Sequence, residues 1–315
     1  MKHIASRVLK PRRGQDHYRW LRSDGSPNFS DKIYRVEGEL EVIASKPAAR
    51  IPLTAPVMKA VEEMAKGYRG LIVSQKDKLD GILLATHVVN YLGGGPFYRI
   101  VERKHGYNIY SALGNEAVES IYEKNVVTAG AREKVYDALY KMVVHNVGFL
   151  PVIDDEGGVV GVITEHDLVK VLSGLYEFGV EASKIMSRPV ITISSGSTLK
   201  EAMEKMVATG FRRLPVVEDE AVVGILTVVD VVRYYGSHEV FKKCTTGDIR
   251  EANSISVRDV MRENAVTAHP DTDVSELVRL MEANNVSSVL IVDESGVLQG
   301  IVTERDILYA ITMPK

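Results

Sequence analysis

Apolar residues recur at i, i+3, i+4 and i+7 in four places along the chain: Val57, Ala60, Val61 and Met64; Val135, Ala138, Leu139 and Met142; Leu199, Ala202, Met203 and Met206; Val274, Leu277, Val278 and Met281. That spacing gathers each quartet on one stripe of a helix. Each stripe is followed by a short apolar run, at 71–73, 151–153, 215–217 and 290–292. A polar turn comes next, and then a second apolar run that opens on Gly81, Gly161, Gly224 or Gly300. Two short apolar runs flanking a polar, Gly-bearing turn predict a hairpin. The last Met of the stripe and that glycine are 17 to 19 positions apart in every copy, so the likeness is one of register. A further apolar segment closes each copy as a helix, at 88–92, 168–172, 231–235 and 307–311, and a related lead-in precedes each, at 42–47, 120–125, 184–189 and 259–264.

The chain therefore reads as four β-α-β-β-α repeats of roughly 55 to 65 residues, an α/β (α+β) fold. A unit of that size is too small to cover both faces of its sheet alone, so pairing is expected. The expected boundaries are a basic arm at 1–30, repeats at 31–95, 120–178, 179–236 and 257–315, and connectors at 96–119 and 237–256. Gly93, Gly94 and Gly95 read as a flexible connector rather than an anion nest.

The junction between the return strand and the closing helix carries the candidate chemistry. Thr164-Glu165-His166-Asp167, Thr227-Val228-Val229-Asp230 and Thr303-Glu304-Arg305-Asp306 place an acid three residues after a Thr at a helix start. Such a pair can form a capping box. All three copies use the short Asp where Glu or Gln is the usual capping partner, and all three follow a buried strand almost without a loop. A helix N-terminus there attracts phosphate, and a carboxylate can hold ribose hydroxyls. The first repeat has Leu84 and His87 at the two positions and no acid.

The segment Ile-Met-Ser-Arg-Pro-Val at 185–190, Arg-Arg-Leu-Pro-Val-Val at 212–217 and Gly-Ile-Leu-Thr-Val-Val-Asp at 224–230 resemble a CBS domain, as do 259–310 and 120–172, and, less closely, 42–92. Four in register resemble a prokaryotic, archaeal-type protein of two pseudo-two-fold Bateman modules, similar in architecture to the gamma subunit of AMP-activated protein kinase. The resemblance implies regulatory binding of AMP, ADP or ATP, with S-adenosylmethionine the lesser candidate. It implies that Asp167, Asp230 and Asp306 take ribose, that Thr164, Thr227 and Thr303 lie near sugar and phosphate, and that His166 and Arg305 face phosphate. Val229 offers no cation, so Arg212 and Arg213 are expected to substitute in the third repeat. Base contacts are implied for Pro189, Val190, Leu214 and Pro215, and for Ala265, Val266 and Val289. The pocket of the first repeat is expected to be empty or structural, with Arg69, aligned with Arg213, reaching into a neighbouring cleft.

Composition narrows the alternatives. Cys244 is the only cysteine, which excludes an intrachain disulfide and a thiolate cage, and the eight His residues show no paired-ligand spacing. No phosphate-loop lysine, serine elbow or kinase signature appears, so an enzyme is not expected. Uncharged stretches such as 221–229 fall far short of the roughly 20 apolar residues of a membrane span, and Lys2, Arg7 and Lys10 interrupt any leader, so a cytoplasmic protein is expected. The formal net charge is −3, but Lys2, Arg7, Lys10, Arg12, Arg13, Arg19 and Arg22 against Asp16 give residues 1–22 a balance of +6. That arm reads as a solvated tail, tied down by Trp20 and Leu21; contact with DNA or RNA is the alternative. The protein partner is not identified by the sequence, and stacking of modules within one chain or across a homodimer is left open.

Overall fold

A computed structural model describes residues 39–75, 77–173 and 179–312, together with 21–24, 26, 28 and 29. Most of the basic arm, with the expectation of nucleic-acid contact and Trp20, lies outside the described residues; Leu21 is half-buried against one of the helical cores.

Each repeat builds a small three-stranded core sheet. A two-residue strand (Arg50–Ile51, Ala129–Gly130, Ile193–Ser194, Thr267–Ala268) runs parallel to the strand that follows the first helix (Gly70–Gln75, Phe149–Ile153, Arg213–Glu218, Ser288–Val292). The latter pairs antiparallel with the return strand (Lys78–Leu84, Val159–Thr164, Ala221–Thr227, Leu298–Thr303). The first strand lies downstream of the lead-in. The first helices are Val57–Ala65, Val135–Val144, Leu199–Thr209 and Val274–Ala283, and every residue of the four stripes is buried. Burial of a Val, Leu or Met side chain contributes roughly 1.5–3 kcal/mol, so the stripe is what holds each helix on its sheet.

The lead-ins are exchanged between repeats. Ser45 bridges to Val162 and Glu123 to Ile82, which joins repeats one and two reciprocally; Ser187 bridges to Ile301 and Arg262 pairs with Ile225, which joins three and four. The repeated glycine of the return strand explains how the chains come this close. A Cβ at Gly81 or Gly224 would strike the carbonyl of Glu123 or Arg262, one at Gly161 would strike Ala44, and one at Gly300 would strike Met186. These contacts define two Bateman modules, repeats one with two and three with four. In the first, sheet packs on sheet through Ile72, Ile82, Val159 and Val162.

Between modules the packing is helical and pairs different repeats. Val57, Val61, Leu199, Met203 and Val231 share one core from repeats one and three, while Val135, Leu139, Leu168, Val274 and Ile307 share another from repeats two and four. The two modules thus stack within one chain. The glycine run is no flexible connector: Gly93 and Gly94 are buried, and side chains at 93–95 would collide with Met203, Val207 or Asn90. Asn253 fastens this corner by donating to the Leu92 carbonyl (2.8 Å) and accepting from Tyr235 (2.6 Å). No helix among the described residues is long and apolar enough to cross a membrane.

Candidate functional site

At all four strand-to-helix junctions the closing helix starts on the residue after the return strand, at Ala85, Glu165, Val228 and Glu304. The side chain at the third helical position caps it every time. Asp167 Oδ2 accepts from the Thr164 amide (2.8 Å) and hydroxyl (2.6 Å), Asp230 Oδ2 from those of Thr227 (3.0 and 2.6 Å), and Asp306 Oδ2 from those of Thr303 (2.8 and 2.6 Å). In the first repeat Nδ1 of His87 accepts from the Leu84 amide at 3.2 Å. Burial pushes the His87 imidazole down to about 4, so it is neutral at physiological pH. One carboxylate oxygen is therefore turned onto its own backbone, as the capping reading requires.

The other oxygen is not. Asp167 Oδ1 accepts from Ser45 Oγ and Asp306 Oδ1 from Ser187 Oγ, both at 2.8 Å. Asp230 Oδ1 accepts from Arg262 Nε at 2.6 Å and Arg233 Nη1 at 3.3 Å. Each acid thus faces the lead-in of the partner repeat, which is where strand exchange brings it. Arg212 and Arg213 are not the cations at Asp230; Arg233 and Arg262 are.

A cavity of about 600 Å³ opens beside this third junction and reaches the centre of the molecule. Thr227, Val229, Ala265 and Val266 line it, and so do Arg69, Arg212, Arg213, Arg233 and Arg262. Leu214 and Val289 lie in the helical cores and are fully buried, and Pro215 is buried, whereas Pro189, after a cis peptide, is exposed and Val190 half-exposed. None of these five lines the cavity.

At the centre, two buried glutamates tie the modules together. Glu165 accepts from Arg212 (2.7 Å) and from Arg305; Glu304 accepts from Arg69 (3.0 Å) and bonds His166 (2.9 Å). The backbone register makes Arg69 equivalent to Arg212, not to Arg213, because the Arg69 and Arg212 carbonyls accept from the first amides of their closing helices. So each odd repeat donates an arginine to the glutamate of the even repeat in the other module. Burial would raise the Glu304 carboxyl, but His166, Arg69 and Arg213 outweigh it and hold it below the ordinary value. The hydrogen bond that His166 donates to the Glu304 carboxylate raises His166 above its ordinary value. Arg213, pushed down to about 10 by burial and by Arg212 beside it, still carries its charge at neutral pH and bonds Ser287 Oγ (2.5 Å). His166 and Arg305 are thus spent on glutamates of the opposite module.

The sequence pattern could have exposed these missed residues. Ser45, Glu123, Ser187 and Arg262 occupy one position of the four lead-ins, and Glu165 and Glu304 follow the Thr of the even repeats.

The family model for the CBS domain matches residues 38–94, 118–174, 182–237 and 257–312. The chain is a four-repeat CBS-domain protein. Among relatives of this CBS protein, the uncharacterized protein MJ1225 of Methanocaldococcus jannaschii is 30% identical over 272 residues, 85% of this chain and 97% of its own. The crystal structure of MJ1225, put forward as an archaeal homolog of g-AMPK, superimposes with a TM-score of 0.82 at 31% identity, covering 86% of this chain and 99% of that one. An uncharacterized 33.4 kDa protein from a ribosomal RNA operon of Thermofilum pendens is 29% identical over 273 residues, 86% of this chain and 90% of its own.

Proposed function

We propose that this CBS protein is a non-enzymatic sensor that binds adenine nucleotides in the clefts between paired repeats and passes their occupancy to a protein partner. One observation carries the reading: at three junctions a capped helix start keeps a second carboxylate oxygen directed at the lead-in of the paired repeat, and one of these junctions adjoins a cavity walled by five arginines. Capping needs a single oxygen. The second suits ribose, and the guanidinium wall suits phosphate. The likeness to a protein put forward as a homolog of g-AMPK points the same way.

Occupancy would act on the central cluster. Phosphates entering among Arg69, Arg212 and Arg213 compete with Glu165 and Glu304, the groups that join the modules, so ligands of different charge bias module packing by their difference in affinity for the two arrangements. Titration calorimetry of the purified chain with AMP, ADP, ATP and S-adenosylmethionine tests this. Saturable binding of at least one nucleotide in the micromolar range is expected; no binding by any of them at high micromolar concentration removes the reading.

A further inference from the structure

The three acid-bearing clefts are not alike, and the difference lies in the lead-in that faces each acid. Asp167 and Asp306 meet serines, whose hydroxyl can donate or accept and can turn to bond a ribose hydroxyl in place. Asp230 meets Arg262, in a lead-in of another shape. Where repeats one and three turn through the cis peptides Lys46–Pro47 and Arg188–Pro189, Arg262 and Glu263 run as a strand antiparallel to the return strand, opposite Ile225 and Gly224. That strand fixes the base of the Arg262 side chain at the mouth of the cleft. Arg262 and Arg233, one from each repeat, converge on the same oxygen of Asp230, whose side chain is only 3% exposed. Both guanidinium groups line the cavity, whereas Asp230 does not. They stand between the carboxylate and the space a ligand would enter.

We propose that Arg262 makes the Asp230 cleft selective for polyphosphate, a role that rests on the nucleotide reading above. A ribose that takes Asp230 Oδ1 must displace a charge-assisted bond. An uncharged nucleoside offers the released guanidinium nothing in return, whereas a phosphate chain on the same ligand accepts it, alongside Arg233 and Arg213. The serine-faced clefts carry no such condition. One chain thereby holds two kinds of site, indifferent and charge-selective.

Titration of adenosine, AMP and ATP into the full chain and into Arg262→Ser, Arg262→Gln and Asp230→Asn tests the role, with circular dichroism to confirm folding. The binding component lost in Asp230→Asn marks the third cleft. At that component ATP is expected to bind at least about tenfold tighter than adenosine in the unaltered chain, the scale of one charge-assisted bond. In Arg262→Ser and Arg262→Gln the ratio is expected to fall several-fold, adenosine gaining while ATP loses. A parallel change of adenosine and ATP affinity in both variants overturns the role of Arg262 and leaves nucleotide binding standing. Absence of binding of all three ligands to the unaltered chain overturns both.

Discussion

Repeats one and three share a helical core, yet their strand-to-helix junctions are chemically opposite. At His87 the capping group is a neutral imidazole sealed in the interior; at Asp230 it is a carboxylate that caps with one oxygen and holds two arginines of the cleft with the other. Because the helix is capped in both, capping alone does not require an acid at this position. The comparison isolates what the acid adds: a second acceptor, directed at the paired repeat. It also shows why the first cleft cannot simply regain one. Glu123 stands at the register position from which Ser45, Ser187 and Arg262 reach their acids, so the facing group there is itself acidic.

Putting the acid into the first repeat strains this contrast most. His87→Asp buries a carboxylate with no cation at the facing lead-in position, and a loss of about 3 kcal/mol or more is expected in chemical denaturation; a stable variant with a new nucleotide site would break the comparison. Close behind in size is an effect of acid. His87 has a folded value of about 4, below its ordinary 6.5. The unfolded chain therefore binds the extra proton first, and stability present above pH 6.5 is lost on the order of 3 kcal/mol as pH falls to 4. His87→Gln should flatten that part of a stability–pH curve.

Ligand affinity should separate the junctions next. Asp306→Ala and Asp230→Ala each remove a charged acceptor and are expected to weaken nucleotide binding at their own cleft about tenfold or more by calorimetry, whereas His87→Ala should leave affinity unchanged. The smallest expected effect has the opposite pH sign to that of His87. His166 is raised by Glu304, so its contribution is complete below pH 6.5 and fades as pH climbs through the raised value. Because His166 is half-exposed, solvent screens the pair, and a thermal melting point that drops slightly between pH 6 and 8, with the drop absent in His166→Gln, is the expected result.

The repeat architecture was legible in the chain because burial imposes a period: each stripe at i, i+3, i+4, i+7 had one face to hide, and Met64, Met142, Met206 and Met281 are all buried. The Thr-x-x-Asp junctions were legible for the same local reason, since a helix cap spans three residues. What faces those acids was not. Strand exchange delivers Ser45, Ser187 and Arg262 from the partner repeat, and the pairing of Glu165 with Arg212 or Glu304 with Arg69 crosses between modules. Local periodicity carries no information about such contacts, because they depend on how four covered sheets close around one centre.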